Sequence, residues 1–222
     1  MLGKAIAIAT AALAGSAASA AGATTVPVIH CPTTYGVSQP PPRLPGRLSV
    51  SAGASAVTGL DAYSNGALFL LAPAGLRCHA LVGADGGASI VITAGSTTHV
   101  REPAVTAYFA DTPGTAGSLA CPLFPSAAQQ LSGQPCPRSK PAGESTYSPG
   151  QGSLYFTDPP HVHGDGAPSG GADPAHGAIA FVAATKGLNG FAFVATCTLP
   201  AREHGRCATI LRDALTRIPA NV

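Results

Sequence analysis

A chain of 222 residues with 12 Lys+Arg against 10 Asp+Glu, and only 10% charged residues in all, is too weakly charged to be held open by self-repulsion. It is also not basic enough to bind nucleic acid or anionic lipid. Gly 27 and Pro 21, with one Met and no Trp, stop short of low-complexity disorder and leave one domain with a thin core that gains from covalent ties.

The first stretch, MLGKAIAIATAALAGSAASA, has a short basic start at Lys4, an apolar run from Ala5 to Gly15 and small residues ending in Ala18-Ser19-Ala20. That pattern predicts a secretory signal peptide over residues 1–20, cut after Ala20 or Ala23. The run is Ala-rich and shorter than a spanning helix needs, so no membrane insertion is expected once the leader is gone. Lipidation is not expected either, because the first cysteine, Cys31, lies well downstream. Residues 21–46 read as a Pro-rich lead ("QPPPRLPG"), extended and on the surface, and residues 47–222 as a single globular domain.

From Arg47 the pattern turns to strands: "RLSV", "AVTGLDAY" and "ALFLLA". "LRCHALV" and "ASIVIT" flank Ala84-Asp85-Gly86-Gly87, where Asp-Gly supplies the positive φ of a tight hairpin. "AVTAYFA" is a further strand, and Pro113 and Gly114 end it. Between Thr115 and Gln134, Pro122 and Pro125 break a helical pattern into two short pieces. A polar stretch then leads to the strand "SLYFT". "GAIAFVAA" and "FAFVATCTL" flank Lys186-Gly187-Leu188-Asn189-Gly190, a second predicted hairpin. From Ala201, Cys207, Ile210, Leu211, Ala214, Leu215 and Ile218 recur at helical spacing and predict an amphipathic helix. The expected fold is α+β, a mainly antiparallel sheet with short helical pieces and a C-terminal helix.

All six cysteines, Cys31, Cys78, Cys121, Cys136, Cys197 and Cys207, follow the leader, and an even number in an exported chain reads as three disulfides. Spacing alone leaves the connectivity open. The breaker-rich segment between Cys121 and Cys136 folds back on itself, which favours pairing them. Cys197 shares a strand face with Phe193 and Ala195, and Cys207 lies on the apolar stripe of the last helix, which favours a second bond. By elimination Cys31 meets Cys78.

Chemistry is concentrated in one run, "DPPHVHGDGAPSGGADPAHG" from Asp158 to Gly177. His161, His163 and Asp165 alternate as on one face of a strand, and with His176 they form a donor set suited to zinc. As HxHxD the segment resembles the start of the metallo-β-lactamase motif HxHxDH over five residues, with Gly166 where its last histidine would stand. Pro159-Pro160, Gly164 and Gly166 favour a solvated loop instead, and no cofactor is expected. No G-x-S-x-G elbow, GDSGG run or dinucleotide glycine pattern occurs. Paired carboxylates meet in space rather than in sequence, so their presence is not legible here.

"LVGADGG", "ACPLFP" and "PSGGADPAHG" together resemble small secreted disulfide-containing proteins of unknown function from high-GC bacteria, and the Ala, Gly, Pro and Arg bias matches GC-rich coding. The resemblance implies export, to the medium or the cell wall, and one folded unit. The expected role is non-catalytic binding of an extracellular or cell-envelope partner. The alternative is a small secreted hydrolase or metal-binding protein using the His161/His163/Asp165 loop.

Overall fold

Tight turns and strand-forming runs dominate the chain, and they build two sheets. The computed structural model describes residues 24–38, 40, 42–95, 103–136, 142–150, 152–161, 173–182 and 190–218. Its strands are β1 (Thr24–His30), β2 (Thr33–Tyr35), β3 (Arg47–Val50), β4 (Leu60–Ser64), β5 (Phe69–Pro73), β6 (Arg77–Val82), β7 (Ala88–Thr93), β8 (Ala104–Ala110), β9 (Ser145–Gly150), β10 (Ser153–Asp158), β11 (Ala175–Val182) and β12 (Phe191–Thr198). Its helices are α1 (Ala54–Val57), α2 (Pro113–Ala120), α3 (Pro125–Ser132) and α4 (His204–Thr216). The small sheet has the order β3-β1-β4-β5, and the large one β2-β6-β7-β8-β12-β11-β10-β9. Pairing is antiparallel apart from β1 with β4 and β2 with β6, so the fold is α+β and mostly sheet, as expected.

The hairpin between β6 and β7 forms where the sequence places it. Gly86 takes a φ of 85°, and the Gly87 N–H donates to Asp85 Oδ1 at 3.2 Å, which ties the turn together. The two helical pieces are α2 and α3, each with a proline in its first turn, where a missing N–H costs nothing. β11 and β12 pair from His176↔Cys197 to Val182↔Phe191; the turn expected at 186–190 lies mostly outside the described residues.

Three expectations are corrected. The strand expected over "AVTGLDAY" begins only at Leu60, because Ala56 and Val57 belong to α1 and Gly59 turns the chain between them at a φ of 73°. The lead before Arg47 is not irregular surface chain, since it supplies β1 and β2. Val26 and Cys31 are buried. Pro27 masks this strand because β1 changes partner beside it, pairing β3 through residues 24–27 and β4 through residues 28–30. The polar stretch before "SLYFT" contains a further strand, β9, whose Pro149 is tolerated because β9 is an edge.

The large sheet buries both faces. One packs against α4 and the small sheet through Ile90, Ile92, Val105, Ala178, Ala195, Cys197, Ile210 and Leu211. The other packs against α2 and α3 through Ile179, Phe181, Val194, Ala116, Ala120 and Ala128. Strand alternation assigns the residues: Phe193, Ala195 and Cys197 face α4, and Ala192 and Val194 face α2. Disulfides join Cys31 to Cys78, Cys121 to Cys136 and Cys197 to Cys207. They tie the lead, the α2–α3 pair and α4 respectively. No helix among the described residues is long and apolar enough to cross a membrane.

Candidate functional site

Three polar features stand out against this apolar scaffold. The first uses a residue of the predicted metal set. His176 stands on β11 opposite Thr157 on β10 and Cys197 on β12, so it faces α4. Thr157 Oγ1 lies 3.2 Å from its Nδ1. The Cys197–Cys207 bond anchors the first turns of α4 over the same strands, and that brings His204 against His176, with ring centroids 5.2 Å apart and planes at 71°. Asp173 Oδ1 is 3.8 Å from His204 Nε2. The Nε2 atoms of both histidines are buried, with no hydrogen bond among the described residues. Burial, and then the charge His204 would carry, push the His176 pKa below its usual value. In the tautomer whose Nδ1–H donates to Thr157, His176 Nε2 presents a lone pair suited to accepting a proton or binding a metal.

The other predicted ligands are not brought to this point. His161 is exposed in the turn after β10, at a positive φ of 63°, and His163 and Asp165 lie outside the described residues. Among the described residues no group of three His, Cys, Asp or Glu side chains could hold a metal ion.

The second feature lies one residue away on the opposite face. Asp158 follows Thr157, so its side chain turns toward the α2–α3 side, where it is fully buried beside the nearly buried Glu144. Burial raises the Asp158 pKa, and hydrogen bonding with the Glu144 side chain partly opposes the rise. Two adjoining carboxyls out of water favour holding a proton between them. Sequence could not reveal the pair, because Glu144 precedes β9 and meets Asp158 only through the β9–β10 register, Ser145↔Thr157.

The third feature was not anticipated at all. A cleft of about 340 Å³ runs between α1 and α4, lined by Ser51, Gly53, Ala56, Thr209, Arg212 and Thr216 among others. A second hollow of about 290 Å³ shares Ala56 and Thr209 and continues along α4 to Arg206 and Arg202. No signal short of the folded chain marks this cleft, since its walls are small residues. Neither His176 nor His204 lines either opening, so the cleft and the histidines are separate features. No protein-family model matches the chain, and no curated protein or solved structure is detectably similar to it.

Proposed function

We propose that this is a secreted, disulfide-braced bacterial protein that binds an extracellular or cell-envelope partner without catalysing a reaction. The observation that carries the reading is the placement of the three disulfides. Two fasten segments to the large sheet, Cys31 to β6 through Cys78 and α4 to β12 through Cys197, and the third closes the α2–α3 pair on itself; α4 forms one wall of the cleft beside α1. A surface held in one conformation loses little entropy on binding, and such bonds persist in the oxidising compartments that an exported chain reaches. The resemblance to small secreted proteins of high-GC bacteria belongs to the same reading. Immobilised oxidised protein, incubated with culture medium and envelope extract, should retain a molecule that the reduced, alkylated protein does not. Equal retention by both forms would defeat it.

A second reading is a small secreted hydrolase or metal-binding protein. The paired imidazoles of His176 and His204, whose two buried Nε2 atoms make no hydrogen bond among the described residues, favour it. Calorimetric titration of metal-stripped protein with zinc separates the two: binding that His176→Ala abolishes supports the second reading, and no heat at micromolar protein removes its metal form.

A further inference from the structure

We infer that the cleft between α1 and α4 is a binding site for a small hydroxylated carboxylate, a sugar acid by chemical class, held through Arg212. The inference rests on the binding reading and gives it a ligand class. It begins with the charges on this face. Arg217 donates to both oxygens of Asp213, at 2.6 and 2.8 Å, so the one acid lining the cleft is neutralised by a guanidinium held in place by the Ser49 carbonyl at 2.7 Å. Arg206 is paired to Glu203 at 3.1 Å and donates to the Thr58 carbonyl at 3.2 Å. Arg202 lies 3.6 Å from the same Glu203. Arg212 is left with no ion pair or hydrogen bond among the described residues. It projects into a cleft whose own acid is already satisfied, so the site carries one uncompensated positive charge.

The remaining lining sets the ligand's character. A guanidinium presents a planar fork of donors matched to a carboxylate, and a single surplus charge suits a monoanion better than a doubly charged phosphate. Ser51 and Thr209 make no hydrogen bond among the described residues, and Thr216 spends its hydroxyl proton on the Asp213 carbonyl at 2.7 Å, keeping its lone pairs for an incoming donor. These hydroxyls exchange hydrogen bonds with ligand hydroxyls. Gly53 and Ala56 keep the α1 wall low; a Cβ added at Gly53 would meet nothing within 4 Å, so the ligand can approach the backbone. No aromatic or long aliphatic side chain lines the cleft, which disfavours a stacked or greasy ligand. The volume, about 340 Å³, sits at the small end of the range for ligand pockets.

The test is an amide-resolved NMR titration of the intact, oxidised protein at low salt with sodium glucuronate, with glucose and inorganic phosphate as controls. Saturable shifts at Gly53, Thr209, Arg212 and Thr216 are expected with glucuronate. Arg212→Gln should weaken them about tenfold or more, and because Arg212 is exposed, its spectrum will show whether the variant remains folded. Glucose should produce no saturable shift. Absence of saturation with glucuronate to about 20 mM, beyond the millimolar range of weak specific sites, overturns the inference. So does equal binding by Arg212→Gln, or tighter binding of phosphate at the same residues. If glucuronate fails while oxidised protein still captures a partner, the cleft inference falls and the binding reading stands. If glucuronate binds and no larger partner is captured, the cleft inference stands alone.

Discussion

The two faces of the large sheet are covered by very different helices. On one side α4 contributes Ile210, Leu211, Cys207 and Ala214, all buried, and packs on β11, β12 and β5 in one cluster with Ile90, Ile92 and Val105. On the other, α2 and α3 bury mainly alanines, Ala116, Ala120 and Ala128. They can lie close together because Gly117 has no side chain; a Cβ there would stand 2.7 Å from Ser132 Cβ and 3.0 Å from the Ala128 carbonyl oxygen. The first face therefore holds by apolar volume and the second by close approach of small residues. Methylene burial contributes roughly 0.8 kcal/mol each, which makes the α4 face the stronger of the two. In a chain with few large apolar residues, that is where they are concentrated.

The sharpest test of the comparison is truncation on each side. Ile210 is fully buried, so Ile210→Ala should cost about 3–5 kcal/mol, in the usual range for a deeply buried branched residue. Leu131 on α3 is only partly buried, and Leu131→Ala should cost no more than about half as much. Denaturant unfolding of both variants reads the difference; equal losses would show that the two faces contribute alike.

A second test asks whether the covalent ties share the asymmetry. The sequence separations are 10 for Cys197–Cys207 and 15 for Cys121–Cys136, and loop entropy assigns them roughly 2.7 and 3.0 kcal/mol. Replacing each pair with serine should therefore lower the thermal midpoint by nearly the same amount, about 6–12 °C for a domain of this size. A much larger drop for the Cys197–Cys207 pair would mean that the bond also holds packing on the α4 side, and that the contrast is not one of side-chain volume alone.

Legibility followed the same division. The α4 stripe, the Asp85-Gly86 hairpin and the Cys121–Cys136 and Cys197–Cys207 pairings are readable, because each depends on local spacing or on a turn whose geometry its own residues dictate; Cys31–Cys78, 47 residues apart, follows only by elimination. β1 and β9 are not readable, since Pro27 and Pro149 contradict a strand pattern that only neighbouring strands make possible. The polar features were less legible still. His176 was singled out as a ligand, but its partner His204 is selected by where Cys207 anchors α4. Asp158 and Glu144 meet through a strand register, and the cleft beside Arg212 is walled by Gly53 and Ala56, which carry no chemistry a motif could name. Local conformation is encoded within a few residues, whereas the surroundings of a polar side chain are set by segments far apart in the chain.

The smallest expected effect comes from the polar groups at one end of the sheet, where adjacent residues send their side chains to opposite faces. His176, on the α4 side, has a pKa below the usual 6.5 because its charged form is poorly solvated and would face His204. The unfolded chain then binds the proton more readily than the native one. The contribution of His176 is complete above pH 6.5 and is lost as pH falls from there through its native value. Asp158, on the α2–α3 side, has a pKa above the usual 3.8 because burial disfavours the carboxylate, so the native state holds its proton more tightly. Its contribution is complete below pH 3.8 and is lost as pH rises through its native value. Stability measured against pH should thus rise across the histidine window and fall across the aspartate window. Asp158→Asn should remove the falling limb and so raise stability on its high-pH side, since a carboxyl whose ionisation burial disfavours is replaced by a neutral isostere. His176→Gln should remove the rising limb and leave the other unchanged. Thermal midpoints of the three proteins between pH 3.5 and 7.5 read both limbs at once. A single variant that flattens both would show that the two faces titrate as one coupled cluster and not as independent sites.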